Sequence, residues 1–217
     1  MSEALHLYAL LAEPIGELPV GGFGEPLVEV EAGSIVAVAG AFERLPATDE
    51  GSALAHARVV EDLARRADAL LPGRFGERYD SREALADAVG SRAPALRAAL
   101  DSVRRCAEIG LRAHFAADAG AAPPASGREY LLRRRDEALR LREIVESVHR
   151  PLAARARDVV ADESLAPLRL RASYLVSRDA AGSFLEEARS LASGSSGAEV
   201  VVFGPWAPYS FGCEAVR

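Results

Sequence analysis

Apolar residues follow two rhythms along this 217-residue chain, and the change between them marks out its elements. Leu5 to Ala12 is an almost unbroken apolar run ended by Glu13-Pro14, the pattern of a central strand. After a loop over Pro14 to Gly24, Leu27 to Glu31 alternates, with Val28 and Val30 on one face and Leu27, Glu29 and Glu31 on the other. Ala32-Gly33 turns the chain into a second apolar run, Ile35 to Ala39, which predicts a hairpin. Beyond the polar stretch Pro46 to Ser52 the period becomes helical: His56, Val60, Leu63, Ala67 and Leu70 recur at three and four residues, ending before Pro72-Gly73. Asp80 with Glu83 reads as a capping box for a short helix to Val89, closed by Gly90, and a further helix runs from Pro94 to Arg105 with the proline in its first turn.

From Cys106 a strand runs to Phe115, with Ile109, Leu111, Ala113 and Phe115 on one side and Arg112 and His114 on the other. Ala116 to Gly127 (AADAGAAPPASG) reads as a flexible loop. Ser126 and Glu129 form a capping-box signature ahead of the longest helical pattern, in which Leu131, Ala138, Val145, Leu152 and Val159 repeat every seven residues. Leu141 and Val148 occupy the companion row, but Arg134 and Arg155 interrupt it, so the pattern is that of a long amphipathic helix with a kink site at Pro151 rather than a coiled coil. Leu168, Leu170, Ala172, Tyr174 and Val176 alternate with Arg169, Arg171 and Ser173 in a strand after Pro167; Asp179 then caps a helix to Ala192, and Gly194 to Gly197 turns the chain into a last strand. Val200 to Phe203 reads as buried strand, stopped by Gly204-Pro205, with Pro208 keeping the following segment extended. Four of the thirteen aromatic residues fall between Phe203 and Phe211, so the tail is an aromatic strap that needs apolar cover. The fold class is α+β in two small domains, residues 1–105 and 106–217; the second has the order strand, long helix, strand, helix, strand, which resembles a ferredoxin-like unit short of one strand.

Composition narrows the function classes. The chain is 49% hydrophobic but only 6% aromatic, and the alanine that makes up much of the apolar share favours helices. All 26 basic residues are arginine, yet 32 Asp and Glu are interleaved with them for a net charge of −6, so no sustained positive field exists for nucleic acid to bind. Cys106 and Cys213 form no metal or redox motif, which fits a reducing compartment. The N-terminus lacks a charged n-region and no apolar run is long enough to span a bilayer, so the expected location is the cytoplasm, with no membrane contact.

Candidate chemistry is sparse. His56 lies on the apolar face of its helix with Glu61 and Asp62 close in sequence; a general base held by a carboxylate has this composition, but without a nucleophile or metal partner by spacing His56 reads as a hydrogen-bonded packing residue. Cys106 and His114 share a strand face about 26 Å apart, too far for a dyad. His6 and His149 have no companions by spacing, so no zinc site, other metal site or cofactor site is expected. Gly21-Gly22-Phe23-Gly24 and Gly194 to Gly197 lack the context of a phosphate loop. Arg133-Arg134-Arg135 reads either as a grip for an acidic partner or as a solvated face. Arg74-Phe75-Gly76, on a turn bounded by Pro72-Gly73, stays open between a partner contact and a core plug with Arg74 paired to a carboxylate.

Two strings carry a resemblance. Gly204-Pro205-Trp206-Ala207-Pro208-Tyr209-Ser210-Phe211 is similar to the GPWPPYSF ending of the gas vesicle protein F and L family (GvpF/GvpL), differing at Ala207. The His56-Ala57-Arg58-Val59-Val60 helix leading to Pro72-Gly73-Arg74-Phe75-Gly76-Glu77 resembles the family's His-centred helix and its Pro-Leu-Arg-Phe-Gly-Thr motif, departing at Gly73 and Glu77. The resemblance implies two α+β domains, the second a modified ferredoxin-like fold. It implies a cytoplasmic, non-enzymatic accessory protein, a minor vesicle component that binds the small hydrophobic gas vesicle shell protein and other gas vesicle accessory proteins during nucleation and limits premature aggregation. The motif residues His56, Arg74, Phe75, Gly76, Gly204, Pro205, Trp206, Pro208, Tyr209 and Phe211 are then structural or partner-binding. The competing expectation is a small-molecule enzyme or sensor holding its ligand between sheet and terminal strap.

Overall fold

β1 (Ala4–Leu11) is buried along almost its whole length, and the reason is that it has neighbours at both edges and cover on both faces. The computed structural model describes residues 4–42, 47–114, 126–165, 168–194 and 199–216. β3 (Ile35–Phe42) pairs with one edge of β1, while the short β4 (Leu70–Pro72) and β5 (Arg78–Tyr79) share the other; all these pairs are antiparallel. β2 (Leu27–Ala32) completes the predicted hairpin with β3 through Gly33, whose φ of 66° favours glycine, and the strand order is β2-β3-β1-β4.

α1 (Glu50–Arg66) starts at Asp49, whose side chain accepts from the Ser52 amide at 2.8 Å, and packs on β1 and β4. α2 (Arg82–Gly90) packs on β2 and β3, and α3 (Ala93–Ser102) on β3 and β4. The cap of α2 is Ser81, accepting from Ala84 N at 3.1 Å, one residue later than the expected Asp80. Leu70, placed by its spacing on the α1 face, belongs instead to β4: the helix stops at Ala67, and Leu70 reaches the same apolar cluster as Val60 and Leu63 from a strand. Three apolar residues are too few for periodicity to tell the two apart.

The chain forms two compact units, Met1–Cys106 with Trp206–Arg217, and Ala107–Pro205. The sequence reading puts residues 106–217, terminal tail included, in the second domain; the segment from Trp206 groups with the first unit.

In the second sheet the order is β7-β8-β6-β9, from β6 (Cys106–His114), β7 (Asp158–Leu165), β8 (Leu168–Ser177) and β9 (Glu199–Trp206). Ile109, Leu111 and Ala113 of β6 and Leu170, Ala172, Tyr174 and Val176 of β8 pack against Leu141, Ile144, Val148 and Leu152, and against Ala181, Phe184 and Ala188 of α6 (Ala181–Ser193). β7 is the strand that the sequence reading lacks. Its heptad row carries the long helix through Val159, but α4 (Gly127–Ile144) passes into a π-helical turn over Val145–His149 and ends with α5 (Arg150–Ala153), and Val159 lies in β7 opposite Tyr174. Pro151 has no N–H for the helical ladder and crowds the preceding turn, which accounts for the wider turn just before it.

Ser126 does cap α4, accepting from Glu129 N at 3.2 Å, whereas Asp179 lies in a 3-10 turn (Arg178–Ala180) and α6 begins without a side-chain cap. β9 is half exposed rather than buried and runs through Pro205. α7 (Tyr209–Val216) then occupies the segment expected to be extended, because the fixed φ of Pro208 suits a helix start, where its missing N–H has no cost. Phe115, the loop up to residue 125, Pro167 and the turn beyond Gly194 lie outside the described residues. Among those described, no helix is long and apolar enough to cross a membrane.

Candidate functional site

The polar groups of the first unit converge on β1. A register shift between Leu7 and Ala9 makes Tyr8 a bulge residue, so His6 and Tyr8 before it and Ala9 and Leu11 after it all face the α1 side of the sheet. His6 Nε2 lies 2.8 Å from His56 Nδ1 of α1, and both rings are 2% exposed. By spacing His6 has no companion; the pairing across 50 residues joins two elements whose sequence carries no trace of it. Each ring then reaches a backbone carbonyl of the same turn: His56 Nε2 is 3.1 Å from Gly73 O, and His6 Nδ1 is 3.2 Å from Glu77 O. Tyr8 stacks on His56 with centroids 4.9 Å apart, and Phe75 packs edgewise on His6 at 5.8 Å.

Burial pushes the His6 imidazole below its ordinary range, against a smaller upward pull from the Glu77 carbonyl and the Glu25 and Glu77 carboxylates. His56 is pushed down to about 4, first by burial and then by His6, with Gly73 O opposing. Tyr8 donates to the buried Glu25 carboxylate at 2.5 Å, and burial followed by that bond raises its phenol. Glu25 also accepts from Phe23 N at 2.9 Å, and it lies against Gly40, where a Cβ would stand 2.6 Å from its Oε1. His56 is thus the hydrogen-bonded packing residue that the sequence predicts, in a cluster that the sequence does not.

The Arg74-Phe75-Gly76 turn sits directly over this pair. Gly76 has a φ of 86°, as the third residue of a type II turn requires, and Glu77 N bonds back to Arg74 O at 3.0 Å. Phe75 is half-buried against the two imidazoles, while Arg74 is exposed and, among the described residues, makes no ion pair. The two open readings therefore divide between two residues: Phe75 is the plug and Arg74 faces solvent. Gly73 departs from the family string for a local reason, since its amide donates to Tyr8 O at 2.7 Å and a Cβ there would stand 2.8 Å from Leu7 O.

The terminal string is shared between the two units, with Gly204 and Pro205 in the second and Trp206 onward in the first. Gly204 has a φ of 110°, which only glycine adopts readily. Ala207 is buried in the α1-side cluster with Tyr209 packed on it, and Pro208 is buried beside it. The Ala207 amide donates to Glu61 Oε1 of α1 at 2.9 Å. The family's proline at this place has no such N–H, so the departure at Ala207 adds a tie to the helix that bears His56. Phe211 is half-buried, but Trp206 is 51% exposed rather than packed inside as an apolar strap residue would be.

A second candidate surface lies on α4. Of its eighteen residues only Leu141 and Ile144 are buried, and Tyr130, Leu131, Leu132 and Leu139 are exposed, Leu131 at 67%. Arg133, Arg134 and Arg135 form ion pairs along the same helix with Glu129, Glu137 and Asp136. The arginine run is to that extent a solvated, internally paired face, and the unusual feature of α4 is its apolar exposure. Among the described residues no group of His, Cys, Asp or Glu has the arrangement of a metal site.

Two antiparallel sheets with their helices make this an α+β protein, and the Gly204–Phe211 string is the part of it that resembles the gas vesicle protein F and L family. The family model described as gas vesicle synthesis protein GvpL/GvpF matches residues 4–212, and the chain belongs to that family. The crystal structure of the gas vesicle protein GvpF from Anabaena sp. PCC7120 is similar over 97% of this chain and 96% of its own, with a TM-score of 0.78 at 16% identity. That of GvpF from Microcystis aeruginosa is similar over 96% and 98%, with a TM-score of 0.74 and again 16% identity. No curated protein matches the sequence. At such identity the likeness establishes the fold, and the family model establishes the membership.

Proposed function

We propose that this protein works in the cytoplasm as a non-enzymatic gas vesicle accessory protein. It binds the small hydrophobic shell protein, together with other accessory proteins, while a vesicle nucleates, and remains as a minor vesicle component. Shell subunits expose apolar surface before they assemble, and such surface self-associates unless covered. Family membership supports the vesicle role, and one observation carries the contact: α4 holds Tyr130, Leu131, Leu132 and Leu139 exposed on a helix whose Arg133, Arg134 and Arg135 are paired to its own carboxylates. A helix of this kind offers an apolar contact with a charged rim, suited to covering an amphipathic partner reversibly.

The test is the double variant Leu131→Glu with Leu139→Glu, mixed with the shell protein carried on a soluble fusion partner. Both side chains are exposed, so stability should change by no more than about 0.5 kcal/mol, while affinity should fall about tenfold or more. Wild-type protein that fails to bind the fusion would overturn the proposed role. A variant that binds as well as wild type would remove α4 as the contact.

A further inference from the structure

The hydrogen bonds around His6 and His56 call for one more proton than two neutral rings possess. A carbonyl oxygen can only accept, so the contact to Gly73 O requires a proton on His56 Nε2, and the contact to Glu77 O requires one on His6 Nδ1. The 2.8 Å N···N contact between the rings requires a third. Two neutral imidazoles carry two. With the pair neutral, one of the three contacts must therefore lack a proton and set lone pair against lone pair, either at a carbonyl or between the two rings. Two imidazolium rings would be worse, since the N···N contact would then hold two protons. The arrangement is satisfied completely by three protons, one of them shared between the rings.

We propose that His6 and His56 together form a buried binding site for a single additional proton, and that filling it tightens the hold of the Gly73–Glu77 turn on β1 and α1. The turn is already fastened to β1 by Gly73 N to Tyr8 O at 2.7 Å and Leu7 N to Glu77 O at 3.1 Å. Protonation adds charge-assisted bonds from both rings to the carbonyls at the two ends of that turn. The groups acting on the pair come from every side. Tyr8 of β1 stacks on His56, and the Glu25 carboxylate, bonded to Tyr8, attracts the proton from the loop before β2. The Glu77 carboxylate, which accepts from Tyr79 at 2.6 Å, attracts it from the turn, and Phe75 contributes only its ring. α1 brings no charge to the pair beyond His56 itself.

Burial lowers both imidazoles from 6.5, so the site is empty at neutral pH and fills only as pH falls below that value. The sign has two parts. The unfolded chain takes up two protons through pH 6.5 where the folded pair takes up one, so the pair's contribution to global stability is full above pH 6.5 and declines as pH falls. The turn, by contrast, becomes better held over the same interval.

The experiment follows the ring nitrogens of His6 and His56 by NMR from pH 7.5 down to the onset of acid unfolding, together with hydrogen exchange at the Gly73 and Glu77 amides. One proton should enter at a midpoint common to nitrogens of both rings, and the protection of the two amides should rise about fivefold as global stability falls. Two rings that ionise fully at separate midpoints, rings that take no proton before the protein unfolds, or turn amides whose protection stays level or drops would each overturn the proposal. The double variant His6→Gln with His56→Gln keeps donors for both carbonyls but has no titrating ring, and should leave the protection of those amides independent of pH. An unchanged pH response in that variant would also overturn the proposal. The wild-type measurements decide the matter by themselves if the variant does not fold.

Discussion

Replacing Gly73 with leucine, the residue that the family string carries at that place, should destabilise this protein by about 3 kcal/mol, although it moves the sequence toward its relatives. A Cβ on residue 73 would stand 2.8 Å from Leu7 O and 3.0 Å from both the carbonyl carbon and the oxygen of Tyr8. Those atoms are backbone of the central strand, so no side-chain rotation relieves the overlap. The turn must lift, and lifting it stretches the bond from Gly73 N to Tyr8 O and draws Gly73 O away from His56. Urea denaturation is the measurement: the midpoint should fall with an unchanged m-value, and Gly73→Ala should already show most of the effect. Equal midpoints for wild type and Gly73→Ala would show that the close approach carries no stability.

Truncation after Gly204 should cost about 4 kcal/mol, from the lost burial of Ala207 and Pro208 and the partial burial of Tyr209 and Phe211. The tail belongs to the first unit, where Ala207 and Tyr209 join the cluster of Tyr8, Val59, Val60, Leu63 and Leu70, and α7 packs on α3 and β4. Removing it bares that cluster and takes from Glu61 the amide that bonds it. Thermal and urea unfolding of the truncated chain should show the loss. A truncated chain that is as stable as the parent and lacks only its affinity for the shell protein would instead make the string a binding element.

Local devices were legible where one short-range signal dominates. Leu5 to Ala12 reads as a central strand because nothing polar but His6 and Tyr8 interrupts it, and Gly33 marks the hairpin because only glycine relaxes at its φ. Ser126 with Glu129 announces the start of α4, since a cap is a contact between residues three apart. Errors arose where two structures share one spacing. Val159 fits both a heptad row and an alternating strand, and Leu70 fits both a helix face and a three-residue strand. In each case the segment was too short, or too near a proline, for period alone to decide.

What the sequence by itself determined is the α+β class, most elements, and the family, through strings whose unusual residues stand at fixed offsets. Tertiary structure alone decided that the tail closes the first unit, that Phe75 rather than Arg74 is the buried half of its turn, and that His6 and His56 are partners. The physical reason is common to all three. Period and capping record interactions within a turn or a pleat, whereas these contacts join residues 19 to 146 positions apart, and their partners are chosen by packing and by the backbone carbonyls that the folded sheet happens to present.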